Sequence, residues 1–247
     1  MKPIVLIPAR MASSRLPGKP LADIAGLPMI VRVWQQAVAA EIGPVVVAAA
    51  EREIIGTIES AGGRAVLTAP DLPSGSDRIF AALKTVDPSG QHDVIVNLQG
   101  DLPALDPATV RLVAHTLEST GADIATLAAE IDDPADRTNP NVVKPVVAWN
   151  HDVTLGRALY FTRATAPAGD GPLFHHVGIY ALTRSALARF VALPPSPLEL
   201  REKLEQLRAL EAGMHVAVAR VDSVPLSVDT PADLGKARKL LGKKSKS

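Results

Sequence analysis

The amino-acid sequence predicts an α/β fold in which helices flank a mostly parallel β-sheet. In the first half, short β-branched runs alternate with segments of helical periodicity, which is typical of βαβ units with right-handed crossovers. The 247 residues are 47% hydrophobic but only 3% aromatic, which predicts an aliphatic core. A chain of this length suits one large domain or two small ones.

The strands predicted in the first half are apolar runs too short to form helices. They are Ile4–Ile7, Val45–Ala48, Ala65–Thr68 and Val94–Leu98. Between them, a first helix follows Pro28, a second stops near Gly62-Gly63, and a third begins at Ser76. Because each helix returns the chain to the same edge of the sheet, we expect the strands to run parallel.

The second half of the sequence is less regular. Helices are predicted at about Pro107–Glu118 and Pro197–Ala212 and from Pro231 onwards, with strand-like runs at Ile124–Ala129, Val142–Trp149, Phe174–Leu182 and Met214–Val221. The sequence has no internal repeat and no linker-like stretch. We therefore expect one domain over residues 1–241 and a disordered tail over residues 242–247.

Charge and residue content exclude several classes of protein. Lys and Arg total 26 and so do Asp and Glu, which argues against a general affinity for nucleic acid or a membrane surface. The absence of cysteine excludes disulfides, thiolate nucleophiles and cysteine-ligated zinc. The first apolar run is stopped by Pro8 and Arg10, so no signal peptide is expected. No run approaches the roughly 20 apolar residues of a membrane span, and we expect a soluble cytoplasmic protein.

The loop after the first strand carries three cations, Arg10, Arg15 and Lys19, together with serine and glycine. Cations and loop amides at the carboxyl end of a strand are suited to holding a polyanion such as a phosphate chain. The loop is not a P-loop, which would need Gly in place of Ser13 and Ser or Thr in place of Pro20. Without further signals, a basic surface loop remains the alternative interpretation.

Two aspartates are candidate ligands of a divalent cation. Asp101 follows a strand of the buried type, so it is expected at the same sheet edge as the cationic loop. Magnesium prefers one or two carboxylates together with phosphate oxygens, and Asp229 is the second candidate. The alternatives are a turn or cap role for Asp101 and, around Asp229, helix capping by Thr230 with Pro231 at the first helical position.

The string Ile4–Pro20 closely resembles the opening signature of the CMP-sugar synthetases, and Arg15–Leu21 resembles the branch that activates 3-deoxy-manno-octulosonate. The resemblance extends from Ile4 to Leu234. Further segments similar to the family are Ser74–Arg78, Gln99–Asp101, Tyr160–Ala164, His176–Tyr180, Ser196–Glu199, Leu204–Arg208 and Val228–Pro231.

The resemblance implies a Rossmann-like sheet of the nucleotide-diphospho-sugar transferase type, with a smaller inserted part for sugar binding and dimerisation. It implies transfer of CMP from CTP to 3-deoxy-manno-octulosonate with release of pyrophosphate, in lipopolysaccharide synthesis. Mg²⁺ is the implied cofactor, CTP and a small acidic sugar are the implied ligands, and a homodimer is the implied assembly.

The resemblance also assigns roles to individual residues. It implies that the catalytic residues are Lys19, Arg10, Arg15 and Asp101, and that the metal ligands are Asp101 and Asp229. It places at the nucleotide Pro8, Ala9, Arg10, Ser14, Arg15, Lys19, Ser74, Gly75, Arg78 and Gln99. It places at the sugar acid Gln99, Arg163, His176, Tyr180, Glu205 and Gln206.

Several of these residues have a simpler interpretation. Ser76 is predicted to cap the third helix, a role compatible with nucleotide binding nearby. Arg163 suits a bidentate grip on a carboxylate, although an arginine in such a place is usually a solvated charge. Glu205 and Gln206 can bond sugar hydroxyls or simply face solvent.

The sequence departs from the family pattern at three places. Leu102 stands where Glu is usual, Ala49-Ala50-Glu51 where Thr-Asp is common, and the segment Ala166–Pro172 is short. A synthetase for another acidic sugar, such as an N-acylneuraminate, is the closest alternative, although that branch commonly has Asn in place of Pro20. A non-catalytic nucleotide-binding protein on the same fold is the alternative from another class.

Overall fold

The computed structural model describes residues 1–13 and 15–244; Ser14 and residues 245–247 lie outside the described residues. Its strands are β1 Pro3–Ala9, β2 Asp23–Ile24, β3 Leu27–Pro28, β4 Val45–Ala49, β5 Arg64–Leu67, β6 Val94–Asn97, β7 Ile124–Glu130, β8 Lys144–Trp149, β9 Leu155–Thr162, β10 Phe174–Thr183 and β11 Val216–Val221. Its α-helices are α1 Met29–Ala39, α2 Arg52–Ser60, α3 Gly75–Val86, α4 Pro107–Thr120, α5 Arg184–Ala192, α6 Pro197–Glu202, α7 Leu207–Glu211 and α8 Pro231–Lys244.

The chain forms two compact units. The first comprises Met1–Arg111 and the segment that begins at Pro225, and the second comprises Leu112–Val224. The single domain expected over residues 1–241 stays a prediction. Helix α8 continues to Lys244, so the described part of the predicted tail, residues 242–244, is helical.

The first unit contains the parallel sheet that the sequence predicts. Its strands lie in the order β5-β4-β1-β6, and each neighbouring pair is parallel. The four predicted runs coincide with these strands to within two residues at each end. Strand β1 lies between β4 and β6, and its residues Ile4–Ile7 are buried, which explains its unbroken apolar run.

The end of the chain returns to the first unit and closes its core. Val228 and the apolar face of α8, with Leu234, Ala237 and Leu241, pack on Ile24 and Met29 near the start of the chain. This packing holds the segment before α8 beside the loops that follow β1 and β6.

The second unit has a mixed sheet in the order β10-β7-β11-β9-β8. Strands β7 and β11 are parallel, whereas the other neighbouring pairs are antiparallel. The sequence did not predict β9, which contains Gly156. A Cβ atom at Gly156 would lie 2.6 Å from Val147 Cγ1 and 2.7 Å from Ala148 O in the neighbouring strand β8. The close approach of β8 therefore requires glycine at position 156 of β9, although glycine weakens the strand signal in the sequence.

The single helix predicted over Pro197–Ala212 is wrong. Two short helices, α6 and α7, replace it, and Lys203 between them adopts a left-handed conformation with φ 56°. The charged run between the helices is compatible with helical spacing, so nothing in its pattern signals this break.

None of the helices in the described part of the chain has the length and apolar content that crossing a membrane requires.

Candidate active site

The predicted nucleotide and metal residues lie around one cavity of about 380 Å³ in the first unit. Those that line it are Pro8, Ala9, Arg10, Arg15, Lys19, Ser74, Gly75, Arg78, Gln99, Asp101 and Asp229. Ser14 lies outside the described residues. The cavity wall also includes residues that carried no role in the sequence analysis, namely Ala12, Pro20, Leu72 and Gly100.

The loop after β1 is held in a folded conformation by its own backbone. Gly18 is left-handed, with φ 67°, and its N–H donates to Met11 O at 3.3 Å. Such a φ favours glycine, and it starts the short 3-10 turn Lys19–Leu21. Met11 N–H donates to Glu51 Oε2 at 3.0 Å, so the carboxylate that follows β4 ties down the other end of the loop.

Lys19 connects the two aspartates. Its ammonium nitrogen lies 2.9 Å from Asp101 Oδ2 and 3.0 Å from Asp229 Oδ1. Burial alone would lower the pKa of Lys19, but the two carboxylates outweigh it and raise the pKa above its ordinary value. Arg15 Nη2 lies 3.2 Å from the same Asp229 oxygen. The two predicted metal ligands therefore lie together, and the positive charges of Lys19 and Arg15 offset their negative charges.

Two local structures place these carboxylates. Val228 N–H donates to Asp101 O at 2.9 Å, which joins the loop after β6 to the segment before α8. Thr230 caps α8, because its hydroxyl accepts from Asp233 N–H at 3.2 Å and donates to Asp233 Oδ2 at 2.7 Å. The predicted Thr230 cap is confirmed, and it leaves the Asp229 side chain on the cavity.

The prediction that Ser76 caps the third helix is wrong. Ser74 is the N-cap residue, with its hydroxyl accepting from Asp77 N–H at 3.2 Å and donating to Asp77 Oδ2 at 2.7 Å. Ser76 lies within the first turn and is buried. The cap therefore uses the hydroxyl of a residue predicted to contact nucleotide.

Arg78 is buried, with only 2% of its surface exposed, and its guanidinium binds the preceding loop. Nη1 donates to Thr68 Oγ1 at 2.6 Å and to Ala69 O at 3.0 Å, and Nη2 lies 3.3 Å from Pro70 O. Burial lowers the pKa of Arg78, and nearby Arg10 lowers it further. Arg78 thus fixes the loop that carries Leu72 and Ser74 into the cavity wall.

The two departures near this cavity have structural explanations. Ala50 is buried and its N–H donates to Ala9 O at 3.0 Å, so its contact to the strand edge uses main-chain atoms only. Leu102 is 6% exposed. An apolar side chain fits that environment better than the acidic one usual in the family.

In the second unit, main-chain carbonyls surround the Arg163 guanidinium. Nε donates to Glu202 O at 3.0 Å, Nη1 to Pro140 O at 3.0 Å, and Nη2 lies 3.5 Å from Lys203 O. An arginine side chain has five N–H donors, so one N–H on each terminal nitrogen is not used by these carbonyls. Arg163 is therefore fixed in place and retains a pair of donors.

His176 lies beside Thr126, a buried residue whose hydroxyl meets a bulge in β10. Thr126 Oγ1 lies 2.9 Å from His176 Nε2, 3.2 Å from Val177 O and 2.9 Å from Ile179 O. The hydroxyl has one proton and the carbonyls can only accept it, so we assign the imidazole proton to Nε2. Burial, together with His175, lowers the pKa of His176 to about 3, which keeps the ring neutral.

Tyr180 lies close to His176, with ring centroids 5.5 Å apart. Burial and the nearby Glu205 carboxylate raise the pKa of Tyr180 above its ordinary value, so the phenol keeps its proton. Three of the predicted sugar-acid residues are therefore neighbours. Gln206 immediately follows Glu205 and directly precedes α7.

The segment carrying Glu205 and Gln206 is held by an ion pair that the sequence analysis missed. Arg208 Nε lies 2.8 Å from Glu199 Oε2, and Arg208 Nη2 lies 2.5 Å from Glu199 Oε1. The two side chains are only 10% and 12% exposed. Its only sequence signal was the similarity of both segments to the family, which did not predict that they touch.

Comparisons with known proteins show which family this chain resembles. A family model described as cytidylyltransferase matches residues 4–216. The chain is 66% identical to the 3-deoxy-manno-octulosonate cytidylyltransferase of Parvibaculum lavamentivorans, with 98% of this chain and 94% of that protein covered. It is 64% identical to the protein of the same name from Rhodospirillum centenum, with 97% and 93% covered.

A solved structure described as CMP:2-keto-3-deoxy-manno-octonic acid synthetase complexed with CTP superimposes with a TM-score of 0.91. The two sequences are 37% identical, and the match covers 99% of this chain and 100% of the other. The predicted α/β fold is confirmed. From the family model and the extent of these matches, the chain belongs to the cytidylyltransferase family.

Proposed function

We propose that this chain transfers CMP from CTP to 3-deoxy-manno-octulosonate, releasing pyrophosphate and supplying an activated sugar for lipopolysaccharide synthesis. The observation that carries the proposal is the contact of Lys19 with both Asp101 and Asp229 at the edge of a cavity lined by Arg10 and Arg15. A site that gathers three cations beside two carboxylates suits a triphosphate together with a divalent cation.

The cations bind and neutralise the triphosphate. In the reaction the anomeric hydroxyl oxygen of the sugar acid forms a bond to the α-phosphorus, and the bond from that phosphorus to the bridging oxygen of the β-phosphate breaks. Negative charge accumulates on the departing pyrophosphate, where Arg10, Arg15 and Lys19 stabilise it. The proton of the attacking hydroxyl is released to solvent, and no side-chain base is required.

Asp101 and Asp229 would hold Mg²⁺. Both are carboxylates, the hard oxygen ligands that this ion prefers, and one ammonium nitrogen already contacts both. The described residues bring no third acidic or imidazole side chain to the pair, so phosphate oxygens and water would complete the coordination. When bound, Mg²⁺ supplies charge neutralisation and lowers the pKa of an oxygen that it contacts.

Arg163 would bind the carboxylate of the sugar acid through the N–H groups left on its two terminal nitrogens. His176 and Tyr180, with Glu205 and Gln206, offer donors and acceptors for sugar hydroxyls. Gln99 lies on the cavity wall of the first unit, where its amide donates to Asn97 Oδ1 at 3.2 Å.

The proposal is tested by measuring pyrophosphate release with each of the four ribonucleoside triphosphates and a series of acidic sugars. We expect release with CTP and 3-deoxy-manno-octulosonate at a kcat/KM at least about a hundredfold above other pairs. Preference for an N-acylneuraminate would favour the alternative synthetase. Binding of CTP without release, across all the sugars, would favour a nucleotide-binding protein without activity.

The assembly and location of the protein belong to the same proposal. The family resemblance supports a homodimer, which sedimentation equilibrium tests directly: a mass of one chain would contradict it. A cytoplasmic location is supported by the cysteine-free sequence and by the use of CTP, and cell fractionation would test it.

A further inference from the structure

Glu202, a carboxylate to which the sequence analysis gave no role, organises the end of β9. Its Oε1 accepts from the Thr162 hydroxyl at 2.8 Å, and its Oε2 accepts from Arg163 N–H at 3.0 Å. The Tyr160 hydroxyl lies 3.5 Å from Oε1. Both carboxylate oxygens therefore bind one short segment, Tyr160–Arg163.

These contacts belong to a rigid piece of structure. Thr162 is 4% exposed, and its hydroxyl also accepts from Ala164 N–H at 3.1 Å. The same oxygen thus donates to Glu202 and accepts from the backbone two residues on, which fixes the turn at the end of β9.

Glu202 touches Arg163 at two points. Its carboxylate holds the Arg163 amide, and its main-chain carbonyl holds Nε of the guanidinium at 3.0 Å. The carbonyl of Lys203, which follows in the left-handed conformation at the end of α6, lies 3.5 Å from Nη2. The direction of the guanidinium therefore depends on where the end of α6 meets the end of β9, and the Glu202 carboxylate joins those two ends.

We propose that Glu202 is a positioning residue for recognition of the sugar acid and that it acts through Arg163, an inference that rests on the proposed function. The carboxylate does not contact the substrate in this role, because both of its oxygens are used within the protein. It sets the direction of the two N–H groups that Arg163 keeps for a carboxylate ligand. A paired contact of this kind depends strongly on direction.

The chemistry of the contacts predicts which substitutions are tolerated. A glutamine at this position can accept from Arg163 N–H through Oε1 and donate through its amide nitrogen to the second lone pair of Thr162 Oγ1. Glu202→Gln therefore keeps a hydrogen bond to each of Thr162 and Arg163, although it removes the charge and reverses the direction of the bond to Thr162. Glu202→Ala removes both hydrogen bonds and leaves the Arg163 amide without this acceptor.

The test is a double-mutant cycle on pyrophosphate release. We expect Glu202→Ala to raise the KM for 3-deoxy-manno-octulosonate at least about tenfold, as for loss of a bond to a charged group. Glu202→Gln should stay within about threefold of wild type, and the calorimetric Kd for CTP within about twofold in both. In an Arg163→Ala background, Glu202→Ala should change the sugar-acid KM by less than about twofold.

Two further variants keep the test decisive. Thr162→Val has the same shape and removes the shortest contact of the carboxylate, so it gives an answer even if Glu202→Ala does not fold; we expect a rise in sugar-acid KM of about threefold. Glu130→Ala is the matched control, because it removes a carboxylate of the same unit that pairs at 2.8 Å with Arg220 at a 40% exposed position. It should leave the KM for the sugar acid and the Kd for CTP unchanged.

Additive effects of Glu202→Ala and Arg163→Ala on the sugar-acid KM would overturn the inference while leaving the proposed function standing. If Glu202→Gln and Glu202→Ala raise the sugar-acid KM equally, the inference that Glu202 positions Arg163 through hydrogen bonds is overturned. If Arg163→Ala does not change the sugar-acid KM, the role of Arg163 in the proposed function fails and the inference fails with it.

Discussion

Two cations on the cavity of the first unit, Lys19 and Arg15, differ in their partners from Arg163 of the second unit. Lys19 and Arg15 contact carboxylate oxygens of side chains that are 25% and 37% exposed. Arg163 contacts main-chain carbonyls of Pro140, Glu202 and Lys203. A side chain can turn away or take another partner, whereas a carbonyl of the folded chain cannot.

This difference indicates two ways of preparing for an anion. In the proposed function, a triphosphate would take over the cations of the first unit and Mg²⁺ would take over its carboxylates, so that these ion pairs would be exchanged for contacts with the ligands. In the second unit Arg163 is already fixed by carbonyls, and its remaining N–H groups would be the donors for the proposed sugar acid. The first arrangement permits rearrangement on binding, and the second lowers the entropy lost on binding.

A second contrast, between a nearly buried and an exposed ion pair of the second unit, sharpens the comparison and gives the largest expected loss of stability. Glu199→Ala should lower the free energy of unfolding by about 3–5 kcal/mol, because it leaves the charge of Arg208 in a nearly buried place without this carboxylate. Chemical denaturation measures the effect. Glu130→Ala, which breaks the exposed pair with Arg220, should cost less than about 1 kcal/mol. Similar losses in the two variants would contradict the distinction.

Lys19→Ala should have the opposite profile. In the proposed function Lys19 stabilises charge in the transition state, so kcat for pyrophosphate release should fall by roughly 10²–10³-fold. The free energy of unfolding should change by less than about 1 kcal/mol, since the ion pairs lie in a partly exposed place. Lys236→Ala, at a position whose side chain is 69% exposed, serves as the control, and a Lys19 variant with normal turnover would remove this residue from the mechanism.

Arg163→Lys should lower both stability and activity, each by less than the variants above. Lysine keeps the charge but loses the paired geometry, so the KM for the sugar acid should rise about tenfold while calorimetric affinity for CTP is unchanged. The variant should also unfold at a lower temperature, because one ammonium cannot replace the contacts with three carbonyls. A parallel loss of affinity for CTP would show that Arg163 is not specific to the sugar acid.

The smallest expected effect is a dependence on pH. Burial would raise the pKa of Glu199, but Arg208 and the Ser196 amide outweigh it and lower the pKa below its ordinary value of 4.5. A lowered carboxylate pKa stabilises the folded protein at pH values above 4.5, and this contribution is lost as the pH falls through the folded-state pKa. The stability difference between wild type and Glu199→Ala should therefore be constant near neutrality and shrink in acid. A constant difference down to pH 3 would contradict the assignment.

The sequence was most informative where local pattern and tertiary environment agree. Ile4–Ile7 was recognised as a strand because a strand covered on both faces is apolar throughout. At Gly156 pattern and environment disagree, because the close approach of β8 requires glycine, which weakens the strand pattern of β9 in the sequence. The left-handed Lys203 follows Glu202, whose carboxylate binds Thr162 and Arg163 about 40 positions earlier, and no local pattern reports it.

The candidate site shows the same limit. Lys19, Asp101 and Asp229 could be proposed from strand ends and family motifs, but the contact of Lys19 with Asp229 joins residues 210 positions apart. Glu202 lies in a charged segment that reads as solvent-facing. Only the fold brings its carboxylate to the backbone of Arg163.

The hydrogen bond between Val228 and Asp101 has a consequence for biosynthesis. The ribosome completes the strand before Asp101 and then makes all of Leu112–Val224 before Val228 and the following helix emerge. At about 5–20 residues per second, that interval lasts roughly ten seconds. Throughout it, Ile24 and Met29 lack the apolar surface of α8 that covers them in the finished protein. A nascent chain must therefore keep this part of its core from aggregating, with or without a chaperone, until α8 has emerged from the ribosome.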